Sequence, residues 1–119
     1  DGRQIRDFNY VDDVVEAMLL VAQSDKADGE VFNLGDEHPL SLQETAELLI
    51  RCHDGGRYTL VPFPPDRKVI DIGDYYGDFR KIGTRLGWKP SVSLHDGLQR
   101  TVSYYGKHSE RYWSTAVAA

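Results

Sequence analysis

Two positions carry positively charged side chains suited to binding an anion. Arg6 stands at the end of an extended segment, directly before a helical pattern. Arg67 and Lys68 follow a proline-rich stretch and precede Asp71. A guanidinium group matches two phosphate oxygens at once, so two such groups on separate loops could hold a diphosphate. These side chains would therefore bind an anionic ligand rather than catalyse a reaction.

The same cations have a simpler interpretation as surface charges. Arg6 has Asp7 and Asp13 nearby in the sequence, and Arg67 directly follows Asp66. An exposed ion pair of this kind contributes less than about 1 kcal/mol. From spacing alone, surface ion pairing is favoured over ligand binding at both positions.

Other patterns that could carry chemistry are absent or have structural explanations. The eleven glycines match neither G-x-G-x-x-G nor a P-loop, no Tyr precedes a Lys by four residues, and no G-x-S-x-G occurs. Asp12 and Asp13 could form an acid–base pair, but a place ahead of a helical pattern favours a helix cap. Cys52 lies among apolar residues and is interpreted as a small core residue. The sequence therefore predicts no catalytic residue.

Composition limits the class of protein. The 119 residues, 40% of them hydrophobic, allow one small domain with a modest core. A pI near 5.2 argues against a nucleic-acid-binding surface. No apolar run approaches the roughly 20 residues of a membrane-spanning helix, and the four histidines and one cysteine lack zinc-ligand spacing. We expect a cytoplasmic protein that binds no nucleic acid, membrane or metal.

The first 35 residues follow a strand–helix–strand pattern. Residues 5–11 predict a short strand or extended entry, and residues 14–23 a helix capped by Asp12 or Asp13. Apolar residues cover more than one face of this helix, which predicts burial on two sides. Residues 30–34 predict a strand. The order is typical of a parallel α/β sheet.

The middle of the chain contains a helix followed by a rigid loop. Ser41 and Glu44 form a capping box, and the helix that they begin should end at residues 54–56. Residues 58–61 predict a strand. The prolines at 62–65 then predict a stiff extended loop.

The last third predicts a short strand and two helices. Residues 69–72 favour a strand. Asp78 should cap a short helix that stops at Gly87, and Ser93 should cap a final helix that closes at Gly106.

Aromatic residues are interpreted as packing groups. The pairs Tyr75-Tyr76 and Tyr104-Tyr105 could stack on a base or a sugar, but one member of such a pair usually packs inward. Trp88, between a glycine and a proline, is predicted to anchor the core.

Four motifs occur in an order that resembles one known family. They are GRQIRDFNYVDDVV at 2–15, VFNLG at 31–35, DFRKI with LGWKP between 78 and 90, and the helical segment at 94–105. These resemble the extended short-chain dehydrogenase/reductases, the NAD-dependent sugar-nucleotide epimerases and dehydratases. The resemblance extends over about residues 1 to 106.

The resemblance implies an α/β fold class and a division of the chain. Residues 1–35 would form the last helix–strand unit of a Rossmann-type sheet, residues 36–106 a small mixed α/β substrate-binding lobe, and residues 107–119 a tail. The family's glycine fingerprint and its Tyr-x-x-x-Lys catalytic pair are not in this sequence. The resemblance therefore implies part of a longer enzyme, inactive alone.

The resemblance also implies roles for the cations. Arg6 matches the family arginine that contacts the nucleotide diphosphate. The second diphosphate arginine falls on Arg67 or Lys68 ahead of Asp71, and a lysine there would be a departure from the family. The implied substrate is an NDP-sugar such as UDP-glucose. The implied cofactor is NAD or NADP in the full-length protein, and its binding residues in this chain are unknown.

Three functional hypotheses stay open at this point. The first is the substrate-binding part of an epimerase resembling UDP-glucose 4-epimerase, or of an NDP-glucose 4,6-dehydratase. The second is a non-catalytic module that binds a nucleotide or a protein. The third is an interaction fragment whose uncovered sheet edge at 31–34 promotes homo-oligomers.

Overall fold

A computed structural model describes residues 2–113 as a mixed α/β structure. Its two short strands pair in antiparallel orientation, with Ile5 opposite Ser41 and Arg6 opposite Leu40. Short 3₁₀ turns lie at Asp25–Ala27 and Ser109–Arg111. The main elements of the described residues are β1 (Ile5–Arg6), α1 (Val11–Ala22), β2 (Leu40–Ser41), α2 (Leu42–His53), α3 (Pro65–Lys68), α4 (Arg80–Leu86) and α5 (Leu94–His108).

The core joins α1, α4 and the segment that follows the first 3₁₀ turn. Ala17, Ile82 and Trp88 are buried together, and Phe32 and Phe79 are among the partly buried residues packed against them. Trp88 is a packing anchor, as predicted. Its ring meets Phe79 edge to face with centroids 6.1 Å apart.

Helix α1 differs from its prediction in two ways. It begins at Val11 with Tyr10 as the N-cap residue, so Asp12 and Asp13 lie in its first turn and neither is the cap. It is not buried on two sides: Met18 is 64% exposed and Leu19 56% exposed. The described residues therefore cover only part of the apolar surface of α1.

The predicted strands at 30–34, 58–61 and 69–72 are wrong for residues 2–113, where the only sheet is formed by β1 and β2. A strand needs the backbone groups of a neighbouring strand, and the described residues pair no strand with these segments. Side chains of α4 hold the first of them instead. Lys81 Nζ donates to the Val31 carbonyl at 2.9 Å and lies 2.7 Å from a Glu30 carboxylate oxygen.

The helix ends follow local chemistry. The Ser41 hydroxyl accepts from the Glu44 amide at 3.1 Å, and the Glu44 carboxylate accepts from the Ser41 amide at 2.8 Å, which completes the predicted capping box. Asp54 ends α2 in the left-handed conformation at φ 53°. Ser93 caps α5 as predicted. Gly87 ends α4 at φ 76°.

Three local predictions need correction. The proline stretch leads into the helical turn α3, because a proline in the first turn of a helix loses no hydrogen bond. Helix α5 passes Gly106 and ends at His108, so part of the predicted tail is helical. Residues 114–119 of the predicted tail lie outside the described part.

Cys52 was predicted to be a small core residue, but it is only half-buried, with its Sγ 3.9 Å from the His95 carbonyl.

The paired tyrosines are exposed, contrary to the packing prediction. All four side chains, Tyr75, Tyr76, Tyr104 and Tyr105, reach solvent. Tyr104 and Tyr105 contact each other edge to face at 5.5 Å between centroids. Adjacent residues on a helix diverge by about 100°, so Tyr104 and Tyr105 cannot both face α2, against which α5 packs.

Candidate functional site

Arg6 closes β1 with its guanidinium turned towards residues 71–73. Its Nη1 donates to the Ile5 carbonyl at 2.7 Å and to the Gly73 carbonyl at 2.6 Å. Its Nη2 lies 3.8 Å from Asp71 Oδ1, beyond hydrogen-bond distance. The side chain is 24% exposed. Among the described residues, Arg6 therefore donates hydrogen bonds through Nη1 alone, and its Nη2 and Nε donate none.

Two carboxylates fasten residues 73–77 to β1. Asp74 Oδ1 accepts from the Ile5 amide at 2.8 Å, and Asp7 Oδ2 accepts from the Gly77 amide at 2.8 Å. The Tyr75 amide adds a bond to the Ile5 carbonyl at 3.0 Å. We call the two carboxylate contacts, from Asp7 and Asp74, the aspartate brace. Sequence reasoning missed it, because its partners are about 70 residues apart.

The brace lies at a close crossing of two backbones. A Cβ added at Gly35 would stand 2.7 Å from the Gly77 carbonyl oxygen and 2.8 Å from Asp7 Oδ2. A Cβ at Gly77 would stand 2.6 Å from the Leu34 carbonyl oxygen. Real Cβ atoms do not approach backbone oxygens this closely, so both positions require glycine.

The other predicted site residues divide into two groups. Asp71 lies beside Arg6. Arg67 and Lys68 lie on α3, where Arg67 is 69% exposed and its Nε is 3.9 Å from Asp66 Oδ2. The structure thus brings Arg6 and Asp71 together, whereas the contact that it gives Arg67 is a surface ion pair with Asp66. Arg6 pairs with Asp71 rather than with Asp7 or Asp13.

Asp13 is a structural carboxylate. It is 1% exposed and accepts from the Ser91 amide at 3.1 Å, the Ser91 hydroxyl at 2.6 Å and the Val92 amide at 3.0 Å. Its own carbonyl accepts from Trp88 Nε1 at 3.0 Å. Burial raises the pKa of Asp13, but the hydrogen bonds from Ser91 and Val92 outweigh burial and hold that pKa below 3.8.

This environment argues against the acid–base pair considered for Asp12 and Asp13. The Asp13 side chain is 1% exposed, and both of its carboxylate oxygens accept hydrogen bonds from Ser91 or Val92, so they are not presented to a substrate. Asp12 is exposed, and its Oδ2 lies 3.8 Å from Arg100 Nη1. The two side chains therefore serve different partners.

Neither a metal cluster nor a membrane-spanning helix occurs in the part of the chain that the structure describes. No three His, Cys, Asp or Glu side chains there are grouped to hold a metal ion. No helix of that part has the length and apolarity needed to cross a bilayer.

Comparison with known proteins places the chain in a family. A family model described as GDP-mannose 4,6 dehydratase matches residues 1–101. The chain belongs to this family. It is 36% identical over 119 residues to a dTDP-glucose 4,6-dehydratase of Streptomyces griseus, a match that covers all of this chain and 35% of that protein.

Solved structures extend the comparison to the fold. A UDP-glucose 4-epimerase of Thermotoga maritima, solved with UDP-glucose, superposes with a TM-score of 0.79 at 34% identity over 92% of this chain and 34% of its own. A UDP-glucuronic acid 4-epimerase of Bacillus cereus, solved with UDP-glucuronic acid and NAD, gives a TM-score of 0.72 at 28% identity over 91% of this chain and 34% of its own.

These matches confirm the family and the fold class inferred from the four motifs. The chain belongs to a family of sugar-nucleotide epimerases and dehydratases and matches part of their Rossmann-type structures. It spans about a third of the length of the proteins that it matches. The family includes enzymes that act on different nucleotide sugars, so membership alone does not assign a reaction.

Proposed function

We propose that this chain is the substrate-binding portion of an NAD(P)-dependent NDP-sugar epimerase, similar to UDP-glucose 4-epimerase, and that Arg6 binds the nucleotide diphosphate. The observation that carries the proposal is the Arg6 guanidinium, which is anchored through Nη1 and donates no hydrogen bond from Nη2 or Nε to the described residues. The likeness to the Thermotoga maritima enzyme supports the epimerase reaction.

The electrostatics of Arg6 suit a diphosphate. Its Nη1 is bound to two neutral carbonyl groups, and among the described residues the guanidinium forms an ion pair with Asp71 at 3.8 Å. Charge-assisted bonds from Nη2 and Nε to phosphate oxygens contribute on the order of 1.5–3 kcal/mol each. Arg6 thus acts in binding and carries no proton in the reaction.

We assign the remaining site residues supporting roles. A carboxylate repels phosphate, so Asp71 would accept a hydrogen bond from a hydroxyl group of the nucleotide sugar. Arg67 or Lys68 would supply the second positive charge near the diphosphate. Because α3 is exposed, that charge is screened and contributes less than Arg6.

The hydride and proton-transfer steps are assigned to other parts of the full-length enzyme. The sequence lacks G-x-G-x-x-G and the Tyr-x-x-x-Lys pair, so its own residues do not form a dinucleotide site. NAD or NADP supplies the redox chemistry when it is bound by the full-length protein. This chain alone would bind and orient the substrate but would not turn it over.

We further propose that residues 1–35 complete a sheet in the full-length protein, while residues 36–106 form the substrate lobe. The exposed apolar side chains of α1 and the extended, unpaired segment at 30–34 support this division. Both would be covered by the remaining two-thirds of the enzyme. In the isolated chain the same surfaces would promote self-association.

Calorimetric titration of the full-length protein with UDP and dTDP tests the role of Arg6. Arg6→Ala should weaken binding about 10- to 100-fold, which corresponds to the loss of one charge-assisted bond. Arg80→Ala is the matched control, because Arg80 is an exposed arginine paired with Asp78 and should leave affinity unchanged. Equal affinity of wild type and Arg6→Ala would remove Arg6 from the site.

A 4,6-dehydratase is the second candidate, favoured by the 36% identity to the Streptomyces griseus enzyme. Proton NMR of the product from UDP-glucose and dTDP-glucose separates the two reactions. A dehydratase creates a methyl group at C6, whereas an epimerase keeps the hydroxymethyl group. Binding without turnover in the full-length protein would instead support a non-catalytic module.

A further inference from the structure

The aspartate brace surrounds Arg6 on both sides. Asp74 accepts from the amide of the residue before Arg6, and Asp7 is the residue after it. The two contacts are reciprocal: one carboxylate reaches from residues 73–77 to β1, and the other reaches from the end of β1 to Gly77. Each is 2.8 Å long.

Few other contacts could fix this arrangement. Strand β1 has two residues and pairs with β2 over those two residues only. Towards residues 73–77 it has one backbone bridge, through Tyr75. Backbone pairing over so few residues holds residues 73–77 against β1 only weakly. The two carboxylate contacts therefore supply much of the restraint.

The position of Arg6 depends directly on that restraint. Its Nη1 is bound to the Gly73 carbonyl, which lies one residue before Asp74. A shift of residues 73–77 away from β1 would move this carbonyl and release the guanidinium. The carboxylates themselves accept from backbone amides rather than from Arg6, so they leave its charge available.

We propose that Asp7 and Asp74 are positioning residues for diphosphate binding, acting through the Gly73 carbonyl that holds Arg6. This inference rests on the proposed role of Arg6 in diphosphate binding. A ligand group that must meet Nη2 and Nε in one geometry loses affinity when the arginine is free to rotate.

The test is UDP affinity of the full-length protein, measured by calorimetry. Asp7→Ala and Asp74→Ala should each weaken UDP binding about five-fold. Asp7→Asn should restore affinity to within about two-fold of wild type, because an amide oxygen still accepts from Gly77. Asp78→Ala is the control, since Asp78 also accepts from a backbone amide, that of Arg80, but lies outside the brace.

A double-mutant cycle separates positioning from a merely structural role. In an Arg6→Ala background, Asp7→Ala should change UDP affinity less than about two-fold, because the group that it positions is gone. The same five-fold loss in both backgrounds would overturn the inference. If Asp7→Ala does not fold, the cycle with Asp74→Ala decides by the same criterion.

The two proposals fail differently. Unchanged UDP affinity in Arg6→Ala would refute the proposed function and this inference together. A loss in Arg6→Ala without any loss in Asp7→Ala and Asp74→Ala would refute the inference alone.

Discussion

Removing the Asp13 carboxylate should be among the most destabilising single changes in this chain. The substitution Asp13→Ala leaves two part-buried backbone amides, of Ser91 and Val92, without their acceptor, together with the Ser91 hydroxyl. Each unpaired buried donor costs roughly 1–3 kcal/mol. Ser91 is partly solvated and its hydroxyl can turn to water. We therefore expect the free energy of unfolding to fall by about 3 kcal/mol.

The neighbouring Asp12 supplies the control. It is exposed, and its nearest cation is Arg100 at 3.8 Å. A first-turn carboxylate and an exposed ion pair together contribute less than about 1 kcal/mol, so Asp12→Ala should have a small effect. Urea unfolding followed by the fluorescence of Trp88, in a Trp113→Phe background, measures both variants. Equal losses for the two aspartates would refute the structural role of Asp13.

The same carboxylate predicts a pH dependence. Because the folded-state pKa of Asp13 lies below 3.8, the ionised group stabilises the fold at pH values above the ordinary pKa. That contribution is lost as the pH falls through the lower folded-state pKa. Asp13→Asn should reduce this acid-side loss of stability, as measured by unfolding curves at several pH values. An unchanged pH profile in Asp13→Asn would contradict the assignment.

Three further outcomes are expected. Gly77→Ala should lower the free energy of unfolding by more than about 2 kcal/mol, because its Cβ would meet a backbone oxygen at 2.6 Å. Gly106 lies on α5 with open space around it, so Gly106→Ala should raise the free energy of unfolding by about 0.5–1 kcal/mol. Urea titrations measure both variants. Leu19→Ser should leave the stability of the isolated chain nearly unchanged but destabilise the full-length protein by about 1–3 kcal/mol. Equal losses of stability in the isolated chain and in the full-length protein would argue against the proposed covering of α1. In NMR titration the Asp78 carboxyl should titrate at about 2, because the Arg80 side chain and amide donate to it, and Arg80→Ala should raise that pKa.

The start of α2, the end of α4 and the start of α5 could be predicted because their chemistry is local. A Ser41 hydroxyl and a Glu44 carboxylate three residues apart satisfy each other's amides whatever the rest of the chain does. Gly87 and Ser93 likewise mark turns that depend on their own backbone conformation. The helices α2, α4 and α5 were therefore expected in their observed order, whereas the turn α3 was not.

The strands and the brace could not be predicted in the same way. A strand such as that expected at 30–34 depends on a neighbour, which the described residues do not supply. The carboxylate of Asp13 resembles a helix cap in sequence, yet its partners lie 78 and 79 residues away. Arg6 was identified by resemblance to a family motif, whereas the contacts that hold it are long-range and leave no local pattern.

The anchored Nη1 of Arg6 affects the thermodynamics of binding as well as its geometry. An arginine that is free in solution loses about 2 kcal/mol of rotamer entropy when a ligand immobilises it. Here two carbonyl groups already restrict the side chain in the absence of a nucleotide sugar. Folding has thus carried part of this entropic cost in advance, so in the proposed function a diphosphate would meet a preorganised guanidinium.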